Sequence, residues 1–237
     1  MANPVAAINN HYEQFYSKRV GQRVYPTEFV VRTFLAKYPK LNFPKPITSN
    51  QVLDVAFGDG RNTVFLLDQG YAVSGVEITE GIVRQTGERL AKLGHHADLR
   101  VGRNSKIPFD DSYFDCLLAC HCCYYVDEGE TFADNIKEYA RVMKPGAWLV
   151  ASVASCDSYI FKNAISLKDG SLRIQGDPYG NRDGYRLQAA SSVDEIETHL
   201  SPWFENFSFG FAGNDFYGIT ERVFWVVCQK RKDNRRL

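Results

Sequence analysis

The fold is decided between residues 52 and 62, where the chain reads Val52-Leu53-Asp54-Val55-Ala56-Phe57-Gly58-Asp59-Gly60-Arg61-Asn62. The first four residues are typical of a short buried strand, and those from Arg61 onward are typical of a helix. Gly58 and Gly60 lie in the intervening turn, where glycine lets the backbone approach a ligand closely. Because the start of the helix offers free N–H groups, this unit predicts a nucleotide-binding site.

The rest of the chain continues the alternation of strand and helix. Further strands are predicted at residues 72–78, 99–101, 114–120 and 148–153, with helices between them. Residues 206–211 and 222–229 are rich in β-forming residues and too close for a crossover helix, so we expect a hairpin. The predicted fold is α/β: a Rossmann-like, doubly wound, mostly parallel seven-stranded sheet with an antiparallel C-terminal strand.

Four units of one chain are predicted from this pattern. Residues 1–50 form an N-terminal helical lid or cap, with Tyr12 and Tyr16 one helical turn apart. Residues 51–155 form the nucleotide-binding core. Residues 156–190 are rich in turn-forming pairs and form an insertion on the substrate side. Residues 191–237 supply a helix and the β-hairpin that completes the same sheet.

The composition of the chain limits which binding partners and which cellular compartment are expected. The 237 residues carry 28 basic and 28 acidic side chains, so net charge offers no case for binding nucleic acid. No apolar run reaches the ~18–20 residues of a membrane span, and the first residues do not have the pattern of a signal peptide. Six cysteines are too few for a disulfide scaffold. We therefore expect a reducing, cytoplasmic setting, without nucleic acid or membrane partners.

Glu77 adds a second part of the nucleotide site. It ends the strand after the glycine turn, about 20 residues beyond the first glycine, where an acid accepts hydrogen bonds from ribose hydroxyls. A nicotinamide dinucleotide requires a third small residue where this chain has Thr63, and Asp54 would repel its pyrophosphate. S-adenosylmethionine has no pyrophosphate, and its ammonium group would be attracted by Asp54. The charges favour S-adenosylmethionine and leave a dinucleotide as the alternative.

The sequence also resembles the class I S-adenosylmethionine-dependent methyltransferases of the small-molecule type. Four segments carry the resemblance, which is strongest over residues 50–155: the Asp54-x-Ala56-x-Gly58-x-Gly60 turn, Glu77 after Val73-Ser74-Gly75-Val76, Ile107-Pro108-Phe109 through Phe114-Asp115, and Arg141-Val142-Met143-Lys144-Pro145-Gly146. The glycine turn alone would be weak evidence, but the four segments occur in the family's order.

The resemblance implies a role for each matching residue at the cofactor. Asp54 and the backbone of Gly58 and Gly60 would hold the methionine end of S-adenosylmethionine, Glu77 the ribose, and Ile78 would pack on the adenine. The family often has an acid at the adenine amino group, and this chain offers Asn104 or Ser105 instead. The remaining expected cofactor-binding residues are Ala56 in place of the usual first glycine, Phe57, which either presses on the cofactor or fills space, Asn62, and Tyr16 from the lid.

The segment Cys120-His121-Cys122-Cys123-Tyr124 follows the fourth strand of the core. Neighbouring strand residues point to opposite faces, so these side chains cannot all bind one ion, and we predict no metal site. The cysteines are expected to behave as small buried hydrophobes. His121 lies where ligands bind in such sheets and is a candidate general base, with Tyr124 as a second catalytic candidate.

Methyl transfer needs alignment of donor and acceptor more than a specific catalytic group, so the acceptor is hard to infer. The expected reaction methylates an O or N atom of a small metabolite, of sugar or natural-product type, and releases S-adenosylhomocysteine. Three alternatives remain: a non-catalytic scaffold, an NAD-dependent oxidoreductase, and thiol-assisted methylation of a metalloid. A homodimer is left open.

Overall fold

The computed structural model describes residues 4–19 and 21–232, with side chains from residue 11 onward. The helices are α1 Pro4–Ser17, α2 Glu28–Leu35, α3 Arg61–Asp68, α4 Glu80–Lys92, α5 Phe132–Val142 and α6 Val193–Leu200. Parts of the predicted first and last units, residues 1–3, 20 and 233–237, lie outside the described residues.

The strands are β1 Gln51–Val55, β2 Ala72–Glu77, β3 Asp98–Val101, β4 Phe114–Ala119, β5 Tyr125–Val126, β6 Met143–Ala154, β7 Ile165–Ser166, β8 Leu172–Arg173, β9 Arg186–Leu187, β10 Phe204–Phe216 and β11 Ile219–Lys230. A short 3₁₀ helix covers Tyr159–Phe161. None of the helices in the described part of the chain has the length and apolar character needed to cross a membrane.

The main sheet has seven strands in the order β10-β11-β6-β4-β1-β2-β3. Strands β1 to β4 and β6 pair in parallel, whereas β11 is antiparallel to both of its neighbours. The predicted fold class is therefore confirmed. The antiparallel C-terminal strand is not at the edge, however, because β11 inserts between β6 and β10.

Alternation along the strands builds an apolar layer on each face of the sheet. Leu53 of β1 pairs with Leu117 of β4, and both belong to the core that α5 and α6 cover. Val52 pairs with Cys116, and this face packs against the buried residues of α2 and α3. Since successive strand residues point to opposite faces, a strand buried on both sides has a continuous apolar run, as β4 has.

A second, smaller sheet lies beside the core. Its order is β5-β9-β8-β7, and β8 and β9 within the insertion pair with each other. Tyr125 and Val126 pair with Leu187 and Arg186. Because β5 follows closely after β4, this pairing fixes residues 165–187 beside the carboxyl end of the core strands.

Residues 120–123 correct one sequence prediction. The strand was expected to include Cys120, but β4 ends at Ala119 and the three following cysteines lie in a turn. His121 has a φ of 57°, in the left-handed region that side chains with a Cβ rarely adopt. Its backbone N–H donates to Ser152 Oγ at 2.7 Å, which holds the turn against β6. The imidazole is therefore placed by a backbone turn and not by strand alternation.

The N-terminal segment lies against α4. Arg89 of α4 donates to the backbone oxygens of Arg19 and Gln22 at 3.0 and 2.9 Å. The Glu13 carboxylate contacts Gly81 in the first turn of α4, where a Cβ would leave it no room. These contacts hold α1 over the glycine turn. The second helix begins at Glu28 with Thr27 as its N-cap residue.

Candidate cofactor and acceptor site

A cavity of about 350 Å³ lies at the carboxyl ends of β1, β2, β3 and β4. Parallel α/β sheets bind their ligands at this edge because the loops after neighbouring strands converge there. The wall is formed by the turn after β1, the end of β2, the loop after β3 and the turn after β4. Tyr12 and Tyr16 of α1 and residues 181–185 of the insertion line the remaining sides.

The turn after β1 adopts left-handed backbone at alternate residues. The φ angles are 54° at Ala56, 56° at Gly58 and 76° at Gly60. Ala56 therefore takes the place of a glycine at a cost of roughly 1–2 kcal/mol typical of left-handed L-residues. Ala56 and Phe57 line the cavity, while Gly58 and Gly60 do not.

Glu77 ends β2 with a carboxylate fixed by backbone donors. Its Oε1 accepts the Gly58 N–H at 3.1 Å, and its Oε2 accepts the Ile78 N–H at 2.7 Å. The residue is buried and lines the cavity. Burial raises the pKa of Glu77 to about 7, although the two N–H groups favour its charged form. Each oxygen keeps a free lone pair, so the carboxylate can accept two hydroxyl hydrogen bonds, as a ribose would offer.

Asp54 lies behind the turn and not on the cavity wall. It is buried, and its Oδ2 accepts the Thr63 hydroxyl at 2.7 Å. Burial raises the pKa of Asp54 to about 7. The direct contact of Asp54 with the methionine end of the cofactor stays a prediction. Asp54 ties β1 to the first turn of α3.

Asp59, which the sequence analysis did not single out, is the carboxylate that this turn presents to the cavity. Arg61 donates to both of its oxygens, at 2.9 and 2.8 Å, and the Arg61 N–H reaches Oδ1 at 3.4 Å. Asn62 also lines the cavity, and its Oδ1 accepts the Thr27 N–H at 2.9 Å. The start of α3 is thus occupied by a carboxylate of the chain itself.

The two glycines of the turn make close contacts with neighbouring helices. A Cβ on Gly58 would contact the Tyr16 hydroxyl and lie 2.6 Å from Tyr16 Cζ. A Cβ on Gly60 would lie 2.7 Å from Thr86 Cγ2 of α4. Gly58 therefore permits the lid residue Tyr16 to lie on the turn, and Gly60 permits the packing of α4. The sequence predicts that a ligand approaches the backbone at these two glycines. In the structure the side chains of Tyr16 and Thr86 lie there.

Two of the three expected adenine-binding residues lie on the cavity wall. Ile78 and Asn104 line the cavity, but Ser105 does not. Asn104 donates to the backbone oxygens of Cys122 and Tyr125, at 2.9 and 3.1 Å, and accepts the Tyr139 hydroxyl at 2.7 Å. Its amide hydrogens are used in these bonds, so toward an adenine amino group only the remaining lone pair of its oxygen is available.

Phe57 packs mainly on the sheet. Its Cδ1 lies 2.5 Å from the position of a Cβ on Gly75, so the ring rests directly over this glycine of β2. It is buried and contributes to the cavity wall. The two roles left open for Phe57, cofactor contact and space filling, are compatible in this position.

The other half of the cavity, called the acceptor half below, contains both catalytic candidates. His121 and Tyr124 line it together with Tyr12, Tyr125, Tyr159 and Tyr185. Burial, and after it the charges of Arg182 and Arg61, lower the pKa of His121 to about 4, so its imidazole is neutral at neutral pH. Burial raises the pKa of Tyr124 well above its ordinary value, so it remains a phenol.

Arg182, Tyr159 and Glu221 are wall residues that sequence reasoning did not single out. They come from the insertion, the 3₁₀ helix and β11, which are distant in sequence from the glycine turn. The only local signal was the turn chemistry around Asp177 and Asp183. That chemistry predicts a loop but does not indicate which side chain faces the core edge.

The cysteines behave as buried groups. Cys122 Sγ donates to the Val55 oxygen at 3.2 Å, and Cys123 Sγ donates to the Ser152 oxygen at 3.3 Å. Burial raises the pKa of the Cys120 thiol to about 12. Within residues 4–19 and 21–232 there is no group of three or more His, Cys, Asp or Glu side chains placed to hold a metal ion.

The sheet order, the left-handed turn and Glu77 define a class I methyltransferase fold of the S-adenosylmethionine-dependent type. Residues 53–151, less than half of the chain, match the family described as methyltransferase domain. The match covers β1 to most of β6, so it contains the turn, Glu77 and the segment with His121.

Relatives and solved structures agree with this assignment. A demethylmenaquinone methyltransferase of Tropheryma whipplei (strain Twist) is 33% identical over 100 residues, which cover 42% of this chain and 40% of that protein. The matched part thus spans less than half of that relative. A SAM-dependent methyltransferase from Methanosarcina mazei superposes with a TM-score of 0.65 at 22% identity, covering 84% of this chain and all of that one.

A third comparison includes bound ligands. The 1,6-didemethyltoxoflavin-N1-methyltransferase of Burkholderia thailandensis, solved with 1,6-didemethyltoxoflavin and S-adenosylhomocysteine, superposes with a TM-score of 0.55 at 15% identity. The superposition covers 78% of this chain and 72% of the Burkholderia protein. At this identity the similarity shows the fold alone.

The residues present fit S-adenosylmethionine. A carboxylate held by two backbone N–H groups faces the cavity at the end of β2, where the ribose of the cofactor would need an acceptor. Asp59 presents a second carboxylate, paired with Arg61, to the same cavity. Ile78 offers an apolar side chain beside them for the adenine.

Proposed function

We propose that the chain transfers a methyl group from S-adenosylmethionine to an O or N atom of a small-molecule acceptor. The observation that carries this proposal is the Glu77 carboxylate, fixed by Gly58 and Ile78, in one cavity with His121 and the tyrosines of the acceptor half. Nucleoside-binding groups and a separate polar wall thus face the same enclosed space.

The start of α3 supports S-adenosylmethionine over a dinucleotide. A dinucleotide places its pyrophosphate at this helix N-terminus. Here Asp59 occupies the position, accepts the Arg61 backbone N–H and is paired with the Arg61 guanidinium. A pyrophosphate would have to displace this carboxylate from the start of α3. The NAD-dependent alternative is therefore disfavoured.

The chain's own residues bind, orient and exclude water. S-adenosylmethionine, when bound, supplies a methyl group already activated on a sulfonium. Glu77 would hold the ribose of the cofactor and Asp59 would face its ammonium group, while Tyr16, lying on Gly58, closes the cavity above the turn. The neutral imidazole of His121 can accept a proton from the acceptor at pH 7. Alignment in a closed cavity supplies most of the acceleration in such displacements.

The thiol-assisted alternative is also disfavoured. A metalloid would be bound by a thiolate, but Cys120 has a pKa raised to about 12, and Cys122 and Cys123 donate to backbone oxygens. Their thiols therefore remain protonated and bonded inside the protein.

Thermal unfolding with cofactors tests the donor. We expect S-adenosylmethionine and S-adenosylhomocysteine, at about 100-fold their dissociation constants, to add ~2.7 kcal/mol to the free energy of unfolding. For a chain of this length that corresponds to a rise in Tm of roughly 5–10 °C. NAD at the same concentration should leave the Tm unchanged. A rise with NAD alone would overturn the proposal.

The acceptor class is tested by the release of S-adenosylhomocysteine. We expect turnover with members of a panel of small phenols, acids and amines, and none with bulk RNA or a protein extract. Turnover only with a macromolecule would contradict the small-molecule acceptor. Binding of the cofactor without turnover on any acceptor would favour the non-catalytic scaffold.

The role of His121 is tested by His121→Asn. Asparagine tolerates the left-handed backbone, so the variant removes the base without straining the turn. We expect methyl transfer at pH 7 to slow about 100-fold, the lower end of what a general base contributes. The Tm rise with S-adenosylhomocysteine should stay within 1–2 °C of the roughly 5–10 °C expected for the parent chain. Unchanged turnover would exclude His121 as the base.

A further inference from the structure

The insertion places the Arg182 side chain at the acceptor half of the cavity. Its guanidinium is held at two of its three nitrogens. Nη1 donates to Asp177, at 3.2 Å to Oδ1, and Nε donates to the Tyr125 hydroxyl at 3.1 Å. Such a two-point attachment fixes the plane of the guanidinium, because the five N–H groups lie in one rigid fork.

Asp177 is built to hold this arginine. Its side chain has no exposed surface, whereas 22% of the Arg182 side chain remains exposed. Its Oδ2 also accepts the backbone N–H groups of Asn181 and Arg182, at 3.0 and 3.1 Å. The carboxylate is therefore saturated by its own loop. It orients Arg182 without being available to a ligand.

The third guanidinium nitrogen of Arg182, Nη2, takes part in neither of these hydrogen bonds. Nη2 has no hydrogen-bond partner among the residues that the structure describes. Because Arg182 lines the cavity, the two N–H groups of Nη2 are available to a molecule bound in the acceptor half.

The other charged side chains around this position are of both signs. Arg61 is paired with Asp59, and Glu221 is the carboxylate of the wall that faces Arg182. Burial raises the pKa of Glu221, and the charge of Arg182 opposes this shift. His121, by contrast, has its pKa lowered by burial and by the positive charges of Arg182 and Arg61. The field that His121 experiences from these charges is thus positive.

The tyrosine rings add a surface for a flat molecule. The ring centroids of Tyr12, Tyr125 and Tyr185 lie 5.4–6.2 Å from one another. Tyr12 comes from α1, Tyr125 from β5 and Tyr185 from the insertion, so the three elements meet at this wall. Aromatic faces of this kind bind planar rings through offset or edge contacts.

We propose that Arg182 anchors an acidic oxygen of a planar aromatic acceptor, a carboxylate or an acidic ring hydroxyl, and so determines the acceptor class. The proposal rests on the proposed function, since it names the acceptor of the same site. A guanidinium nitrogen with two free N–H groups suits an anionic oxygen, and Asp177 and Tyr125 prevent it from turning away.

Binding of simple probes to the full chain tests the anchor without any methyl transfer. Benzoate represents the carboxylate and 4-nitrophenol the acidic hydroxyl, while benzamide and benzylamine are the neutral and cationic counterparts. Calorimetric titration, with and without S-adenosylhomocysteine, should show at least one anion binding about 10-fold more tightly than benzamide, as charge-assisted hydrogen bonds do. Equal or tighter binding of benzamide or benzylamine would overturn the proposal.

Variants of Arg182 locate the effect. In Arg182→Gln the anion should bind no better than benzamide, and in Arg182→Lys its affinity should fall between the two, because the charge remains but the fork is lost. Arg84→Gln removes the same charge from the exposed pair with Glu88 on α4 and should leave selectivity unchanged. An unchanged preference for the anion in Arg182→Gln would contradict the assignment.

Loss of the arginine leaves Asp177 buried without its partner, which destabilises proteins. The double variant Asp177→Asn/Arg182→Gln removes both charges and is expected to fold and to lose anion selectivity as well. The Tm rise with S-adenosylhomocysteine reports on the cofactor half separately. If the parent chain shows anion selectivity but no Tm rise with S-adenosylhomocysteine, the proposed function is rejected and the anion site at Arg182 is retained. If it shows the Tm rise but no anion selectivity, only the role of Arg182 is rejected.

Discussion

Glu77→Gln is expected to weaken the binding of S-adenosylhomocysteine by about 10- to 100-fold, from the ~1.5–3 kcal/mol of hydrogen bonds to a charged group. In the folded chain both carboxylate oxygens accept backbone N–H groups, and their remaining lone pairs face the cavity. A glutamine amide keeps the shape but turns one of these acceptors into a donor. Calorimetric titration of both proteins measures the loss.

The same carboxyl predicts a dependence of cofactor binding on pH. Burial raises the pKa of Glu77 to about 7 in the ligand-free chain, so the group is half protonated at neutral pH. Ribose hydroxyls donate to the charged form, which lowers the pKa on binding. Affinity should therefore rise about 10-fold between pH 6 and pH 8, as the charged fraction grows from ~0.1 to ~0.9.

Proton release provides an independent readout of this linkage. Titrations at pH 7 in buffers of different ionisation enthalpy should show a fraction of a proton released on binding by the parent chain, and none by Glu77→Gln. Glu88→Gln, on the exposed face of α4, is the matched control and should behave as the parent chain does. A pH-independent affinity in the parent chain would show that Glu77 does not bind the ribose.

The order of strands and helices could be predicted from local patterns because each element has its own period. The buried run Val52–Val55, the glycine turn and the alternation that follows suffice for a doubly wound sheet. The prediction that β10 and β11 form a hairpin is also confirmed. The order of the remaining strands depends on pairing between segments that are distant in sequence. The position of β11 between β6 and the edge strand β10 is therefore known only from the structure.

The cofactor wall could be predicted only in part. Glu77, Ile78, Phe57 and Asn62 line the cavity as expected, because their position at strand ends follows from the strand pattern. Asp54 does not line it, because its carboxylate in β1 accepts the Thr63 hydroxyl of α3. Gly58 and Gly60 do not line it either, because they lie against Tyr16 and Thr86. Spacing in the sequence shows that residues are near one another, but the φ angles of the turn decide which of them face the ligand.

The residues that line the acceptor half of the cavity could not be predicted from the sequence, for a different reason. Arg182 reaches the cavity because β9 pairs with β5, a contact between segments about sixty residues apart. Nothing in the turn-rich sequence around it distinguishes this arginine from Arg173, which pairs with Glu128 at the surface. Residues that define an acceptor site on an insertion are assembled by tertiary pairing, and their local sequence shows only a loop.

Gly58→Ala should disturb the lid and the cofactor site together. The residue has a φ of 56°, and its new Cβ would lie 2.6 Å from Tyr16 Cζ. Left-handed backbone costs an L-residue roughly 1–2 kcal/mol, and the contact adds a further ~1 kcal/mol or displaces α1. We expect the free energy of unfolding to fall by about 2–3 kcal/mol, measured in urea, with a loss of S-adenosylhomocysteine affinity.

Two further variants separate backbone strain from the contact with the lid. Gly87→Ala is the matched control, because Gly87 lies in α4 with open space around it, and alanine there should stabilise the helix by about 0.5–1 kcal/mol. In Gly58→Ala/Tyr16→Ala the backbone strain remains but the contact is gone. The double variant should therefore lose less stability than the two single losses added together, by about 1 kcal/mol. Strict additivity would mean that Tyr16 does not rest on the glycine turn, and that the lid closes the cavity by other contacts.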